Sequence, residues 1–249
     1  ARCAESEACS AEFPDVEAEF AALLERLARQ PEAVSLIHPV TGAPAERRFS
    51  ADELAGAVRL LTYAPSSAAL LPHLIHAGAQ GNLAPLTAQI MMIEASMYES
   101  LAVGMHHSVV CAEDMPFVTE ADIDREALAD TFMGAQQIDM LREICRHWPR
   151  GPIDADFRAP LDTDVPVLLL SGEFDPVTPP AWGDLAAAQY DNARHVVGPG
   201  QGHGLLPRGC TPRLVADFIA DASVGELDAD CVSRLGPMPF FLDFNGPQP

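Results

Sequence analysis

Asp175 and His203 are the two side chains of this 249-residue sequence whose surroundings favour shared chemistry. Asp175 lies in Leu168-Leu169-Leu170-Ser171-Gly172-Glu173-Phe174-Asp175-Pro176-Val177-Thr178-Pro179-Pro180, and His203 lies in Gly200-Gln201-Gly202-His203-Gly204. A carboxylate on one imidazole nitrogen fixes the tautomer and stabilises the imidazolium, so the other nitrogen can take a proton from a hydroxyl nucleophile. Such a nucleophile is what the sequence lacks. No Gly-x-Ser-x-Gly occurs in residues 1–249, and Ser171 ends the strand that carries the acid, which makes it a structural residue.

Both side chains need elements that bring them to one place. Val165 to Leu170 is an almost wholly apolar run ending in Ser-Gly, which predicts a strand buried on both faces of a parallel sheet. Pro180 to Gln189 predicts a helix with proline in its first turn, and Arg194 to Val197 a second strand. Asp175 and His203 then fall in loops beyond the carboxyl ends of two strands, where open α/β sheets gather functional groups. One helix and one strand between them make a side-chain contact topologically natural. Phe240 to Phe244 is a candidate third strand. The succession of strand, Asp-Pro turn, helix, strand and Gly-rich turn also occurs without chemistry. The order acid then base favours a triad, because α/β-hydrolases run Ser, then Asp or Glu, then His.

Residues 1 to about 150 read as helical. Asp15 can cap a helix whose apolar face is Val16, Phe20, Leu23, Leu24 and Leu27, with Pro31 beyond its end. Ser50-Ala51-Asp52-Glu53 is a capping box opening a helix through Leu61. Further helices are expected over 68–79, 83–103 and 125–147, with Pro72 and Pro85 kinking or shortening the first two. The Met91, Met92, Met97, Met105 and Met115 series reads as ordinary core packing. His73 with His76 and His106 with His107 lack a matching set of nearby ligands, and no Cys-x-x-Cys occurs, so no metal and no cofactor is expected.

A net charge of -21 removes any general affinity for nucleic acid or an anionic membrane surface. Every basic residue is arginine, which points to coding bias or to an acidic, halophile-like surface and identifies no substrate. A hydrophobic fraction of 48% suffices for a large core, yet no apolar run approaches the roughly 20 residues of a membrane span.

Gly172 to Pro180 resembles the acid loop of secreted bacterial α/β-hydrolases of the tripeptidyl aminopeptidase and proline iminopeptidase type, including the tripeptidyl-aminopeptidase-like carboxyl-terminal domain. Ser108-Val109-Val110-Cys111-Ala112-Glu113-Asp114, Cys145-Arg146-His147-Trp148-Pro149, and Cys210 to Cys231 followed by Pro239 to Phe244 are similar to that family's lid exit and terminal region. The resemblance implies an α/β-hydrolase fold in part. Residues 1–155 would form a helical cap, and residues 156–249 the carboxyl-terminal strands and helices of the parallel sheet. Asp175 would be the triad acid and His203 the base. The elbow serine and oxyanion hole would precede Ala1, so the chain is expected to be the carboxyl-terminal portion of a longer hydrolase, inactive alone. Its partner is then the amino-terminal half of the hydrolase core. A fully apolar strand with few companions agrees with that expectation.

Six cysteines in a non-metal pattern point to an oxidising compartment, hence to a secreted or periplasmic protein. Sequence alone leaves the connectivity open. Proximity and the resemblance together suggest Cys3 with Cys9, Cys210 with Cys231, and Cys111 with Cys145. Six buried thiols in a cytosolic enzyme is the competing reading.

The resemblance also implies a cap carboxylate that pairs with a substrate ammonium, and Glu113 is the candidate; a solvated Glu113 beside Asp114 and Pro116 is the plainer alternative. The expected reaction is acyl transfer to serine from a peptide or small ester, releasing short amino-terminal peptides or prolyl residues. Three alternatives remain: an esterase, an aspartate-nucleophile enzyme on the same fold, and a non-catalytic binding or assembly module.

Overall fold

The computed structural model describes residues 2–247. Helices α1 (Arg2–Glu5) and α2 (Glu7–Glu12) are joined by the Cys3–Cys9 disulfide. Helix α3 (Val16–Arg29) begins where Asp15 accepts the Ala18 amide at 3.2 Å, a side-chain cap on an otherwise orphan donor. Strands β1 (Glu32–Ile37) and β2 (Pro44–Phe49) follow as an antiparallel hairpin, Glu32 opposite Phe49 and Ile37 opposite Pro44. Helix α4 (Ala51–Leu61) opens on a reciprocal capping box, the Glu53 amide donating to Ser50 Oγ at 3.2 Å and the Ser50 amide to Glu53 Oε2 at 3.1 Å. Then come α5 (Pro65–Ala79), α6 (Ala84–Ser100) and α7 (Val103–Val109), the last running on into a π-helical turn over Val110–Asp114. Helices α8 (Arg125–Ala129) and α9 (Gln136–His147) precede strand β3 (Val167–Gly172), α10 (Pro180–Ala187), strand β4 (Ala193–Gly198), α11 (Thr211–Asp221) and α12 (Asp230–Ser233).

The structure corrects several local expectations, among them the Met series read as core, of which Met92 and Met105 are exposed. Residues 32–49 form a hairpin inside the stretch read as helical. The helix expected over 125–147 is broken between α8 and α9, where Gly134 turns the chain at a φ of 53°. The helix expected over 83–103 stops at Ser100, and α7 starts anew. Phe240 to Phe244 is no strand. Phe240 and Leu242 instead pack on the cluster of Cys3, Cys9 and Phe13, and Asp243 makes an isolated bridge with Gly246.

The chain divides into two compact units. Unit 1 takes in 1–25, 57–86 and 160–249. Its parallel pair β3 and β4 runs in register from Val167 opposite Ala193 to Gly172 opposite Gly198. Val196, Leu205, Leu214, Leu227 and Val232 form a core beneath that pair, with Leu168 and Leu170 packed against it. The Cys210–Cys231 disulfide ties the start of α11 to α12, and the Arg194 guanidinium donates to the carbonyls of Val224 and Leu227. Val167 to Leu170 are half-buried rather than buried on both faces, because among the described residues β3 has a neighbour on one edge only.

Unit 2 takes in 26–56 and 87–159. Cys111, Met115 and Cys145 form one buried cluster in it, closed by the Cys111–Cys145 disulfide and flanked by Ile138, Leu141 and Trp148. Arg47 on β2 makes a two-pronged ion pair with Glu94 at 2.5 and 2.8 Å and a further bond to Glu53 at 2.8 Å. These partners raise the Arg47 pKa against the pull of its partial burial. Three disulfides fit an oxidising location. Among the described residues, no helix is long and apolar enough to cross a membrane.

Candidate active site

Strand β3 ends in Ser-Gly for a steric reason. A Cβ on Gly172 would fall 2.1 Å from the Gly202 carbonyl oxygen and 2.7 Å from that of Gln201, so only glycine lets the two loops approach. Beyond it the chain is pinned to the second loop by its backbone, the Phe174 amide donating to the Gln201 carbonyl at 2.8 Å and the Glu173 amide to that of Gly198 at 3.1 Å. The Gly200 amide returns a bond to the Glu173 carboxylate at 2.7 Å. Asp175 and His203 therefore hang from two loops stitched together at the carboxyl ends of adjacent parallel strands.

The Asp175 side chain is only 4% exposed, and its oxygens are fully occupied. Oδ1 accepts the amides of Val177 at 2.8 Å and Thr178 at 2.9 Å, while Oδ2 accepts the Thr178 hydroxyl at 3.0 Å. His203 Nδ1 donates to Oδ2 at 2.9 Å and to Oδ1 at 3.2 Å. Burial pushes the carboxyl upward, but the Thr178 and Val177 amides, His203 and the Thr178 hydroxyl outweigh it and hold Asp175 below the ordinary carboxylate range. Asp175 is thus a fixed anion.

A carboxylate can only accept, so the proton sits on Nδ1 of His203 and the lone pair sits on Nε2. The His203 side chain is 42% exposed. Its backbone amide donates to the Tyr63 carbonyl at 2.7 Å, and the Tyr63 ring stands edge-on to the imidazole at 5.6 Å between centroids. The Tyr63 ring in turn receives the Arg59 guanidinium, 5.4 Å from its centroid. Such an arrangement can act as an oriented general base, since Asp175 holds Nδ1 and leaves Nε2 outside that bond.

Sequence reasoning brought Asp175 and His203 to one place but missed their supports. Thr178, following Asp175 by three positions in a Pro-rich loop, carries the signature of an Asx-type turn and could have been found. Tyr63 supplies a backbone oxygen, for which no residue type is a signal. Glu113 lies half-buried in the π-helical turn of unit 2, next to the Cys111–Cys145 disulfide. Such turns are uncommon and recur at functional sites.

Residues 130–231 match the family model for TAP-like proteins, an α/β-hydrolase family. The matched stretch covers under half of the chain, contains both Asp175 and His203, and supports an α/β-hydrolase family for the protein. No curated protein and no solved structure matches the chain.

Proposed function

We propose that residues 1–249 carry the acid–base half of a secreted or periplasmic serine hydrolase of the aminopeptidase type. The observation that carries this reading is the bond from His203 Nδ1 to a buried, anionic Asp175, which leaves Nε2 outside that bond on a side chain that is 42% exposed. Nε2 would take the proton of a serine hydroxyl as that oxygen attacks a peptide or ester carbonyl, and would return it to the leaving group. The imidazolium so formed is stabilised by Asp175, whose carboxylate stays ionised throughout.

The serine and the oxyanion donors belong to polypeptide outside residues 1–249 in this proposal, as part of the same hydrolase core. Half-buried apolar residues on β3 support it, together with Trp182 and Leu185 on α10, which are 60% and 67% exposed. Apolar strands of a parallel sheet are ordinarily covered on both faces. Glu113 is proposed as the carboxylate that receives a free amino terminus, which would make the enzyme an aminopeptidase rather than an esterase.

A fluorophosphonate serine probe tests the reading directly. The polypeptide that joins residues 1–249 to the proposed serine half should label in an active-site-dependent manner, and His203→Ala should suppress labelling at least ten-fold. A wild type that does not label removes the proposal.

A further inference from the structure

One imidazole spans the loop that carries Asp175 from its start to its end. His195, on β4, has Nδ1 2.8 Å from Asp184 Oδ1 on α10 and Nε2 2.8 Å from Ser171 Oγ on β3. Because the carboxylate only accepts, Nδ1 donates to Asp184, and Nε2 is left to accept the Ser171 hydroxyl proton. The His195 side chain is 7% exposed while that of Asp184 is 73% exposed. Gly183 makes the approach possible: a Cβ there would lie 2.4 Å from Nε2 and 2.5 Å from Cε1 of His195.

Ser171 and Asp184 bracket the acid. Ser171 is the last residue before Gly172, whose backbone abuts the Gln201 and Gly202 carbonyls, and Asp184 lies in the helix that begins where the Pro-rich loop ends. A single ring therefore closes the loop of 172–183 at both ends. The trio repeats the residue types of a hydrolase triad, but Ser171 is 8% exposed and lies inside a strand opposite Val197. Its hydroxyl has no open face for a substrate carbonyl.

The geometry points to His195 as a positioning residue, which hydrogen-bonds Ser171 and Asp184 at once and so fixes the direction from which Asp175 meets His203. The inference rests on reading Asp175 and His203 as acid and base, but its test does not depend on hydrolysis.

Amide hydrogen exchange on the chain of residues 1–249 reads the latch. In Asp184→Ala, the Val177 and Thr178 amides that donate to Asp175 should exchange about ten-fold faster, while the Val167 amide bonded to the Asn192 carbonyl keeps its wild-type rate. Asp184→Asn retains an acceptor oxygen and should restore wild-type exchange, and Ser171→Ala should release the loop from the other end. In the complete hydrolase, Asp184→Ala should lower kcat about ten-fold with KM within two-fold. Unchanged exchange at Val177 and Thr178 in both alanine variants overturns the inference, as does equal acceleration at Val167. Fluorophosphonate labelling of Ser171 overturns it too, since that would make Ser171 a nucleophile. If the hydrolase proposal alone fails, serine-probe labelling is lost while the exchange pattern stands.

Discussion

His203 is anchored by Tyr63 through the backbone: the His203 amide donates to the Tyr63 carbonyl at 2.7 Å, so the residue is held at its main chain as well as at its ring. The contact depends on Gly202, where a Cβ would lie 2.4 Å from that same carbonyl oxygen. Gly202→Ala should therefore displace the His203 loop and, in the proposed complete hydrolase, lower kcat about 100-fold with little change in KM. Steady-state kinetics check this, with circular dichroism showing that the variant is folded.

In the proposed complete hydrolase, Asp175→Asn should lower kcat by about 10⁴, the order of the same substitution in a serine-protease triad, because the amide cannot hold the imidazole in the required tautomer. It should also change the acid limb of stability. The folded carboxyl titrates below the ordinary value of about 3.9, so its contribution is present above that pH and is lost as pH falls through the lowered folded value. Urea midpoints should separate wild type from Asp175→Asn at pH 7 and converge as pH falls below about 4.

Removing the Cys210–Cys231 bond releases a loop of sequence separation 21. Chain entropy assigns such a loop about 3 kcal/mol. The Cys210→Ser, Cys231→Ser pair should lower stability by that order in denaturant titration, with the loss felt first at Val232, which is fully buried in the adjoining core.

Ala222 ends α11 at a φ of 47° and a ψ of 42°, the left-handed region in which a Cβ is strained. Ala222→Gly should raise stability by about 0.5–1 kcal/mol and Tm by about 1–4 °C, measured by thermal unfolding.

Glu113→Gln removes the proposed partner of a substrate ammonium. The ratio of kcat/KM for free over amino-blocked peptides should fall at least ten-fold, and an unchanged preference for free amino termini would reassign Glu113 to a structural role in its π-helical turn.

The parallel pair and its loops were legible because their signals are local: an apolar run before Asp175, a proline-led helix, and glycines flanking His203. The β1–β2 hairpin was not, because Glu46, Arg47 and Arg48 mask the alternation expected of a strand, and Arg47 finds its partner only when Glu94 is brought near. Phe240 and Leu242 read as strand residues, yet their side chains are claimed by the small disulfide-closed cluster at Cys3 and Cys9. His195 shows the same limit at the site. Its sequence gives a histidine within a strand, and only packing against Gly183 gives it two partners.

Unit 1 is assembled from 1–25, 57–86 and 160–249, with another unit's residues threaded between. A ribosome adding about 5–20 residues per second would deliver the first two of these segments several seconds before the last. Tyr63 would thus emerge well ahead of His203. Long-range closure of this kind slows folding, so the Asp175–His203 pair should be among the last features of the chain to form during synthesis.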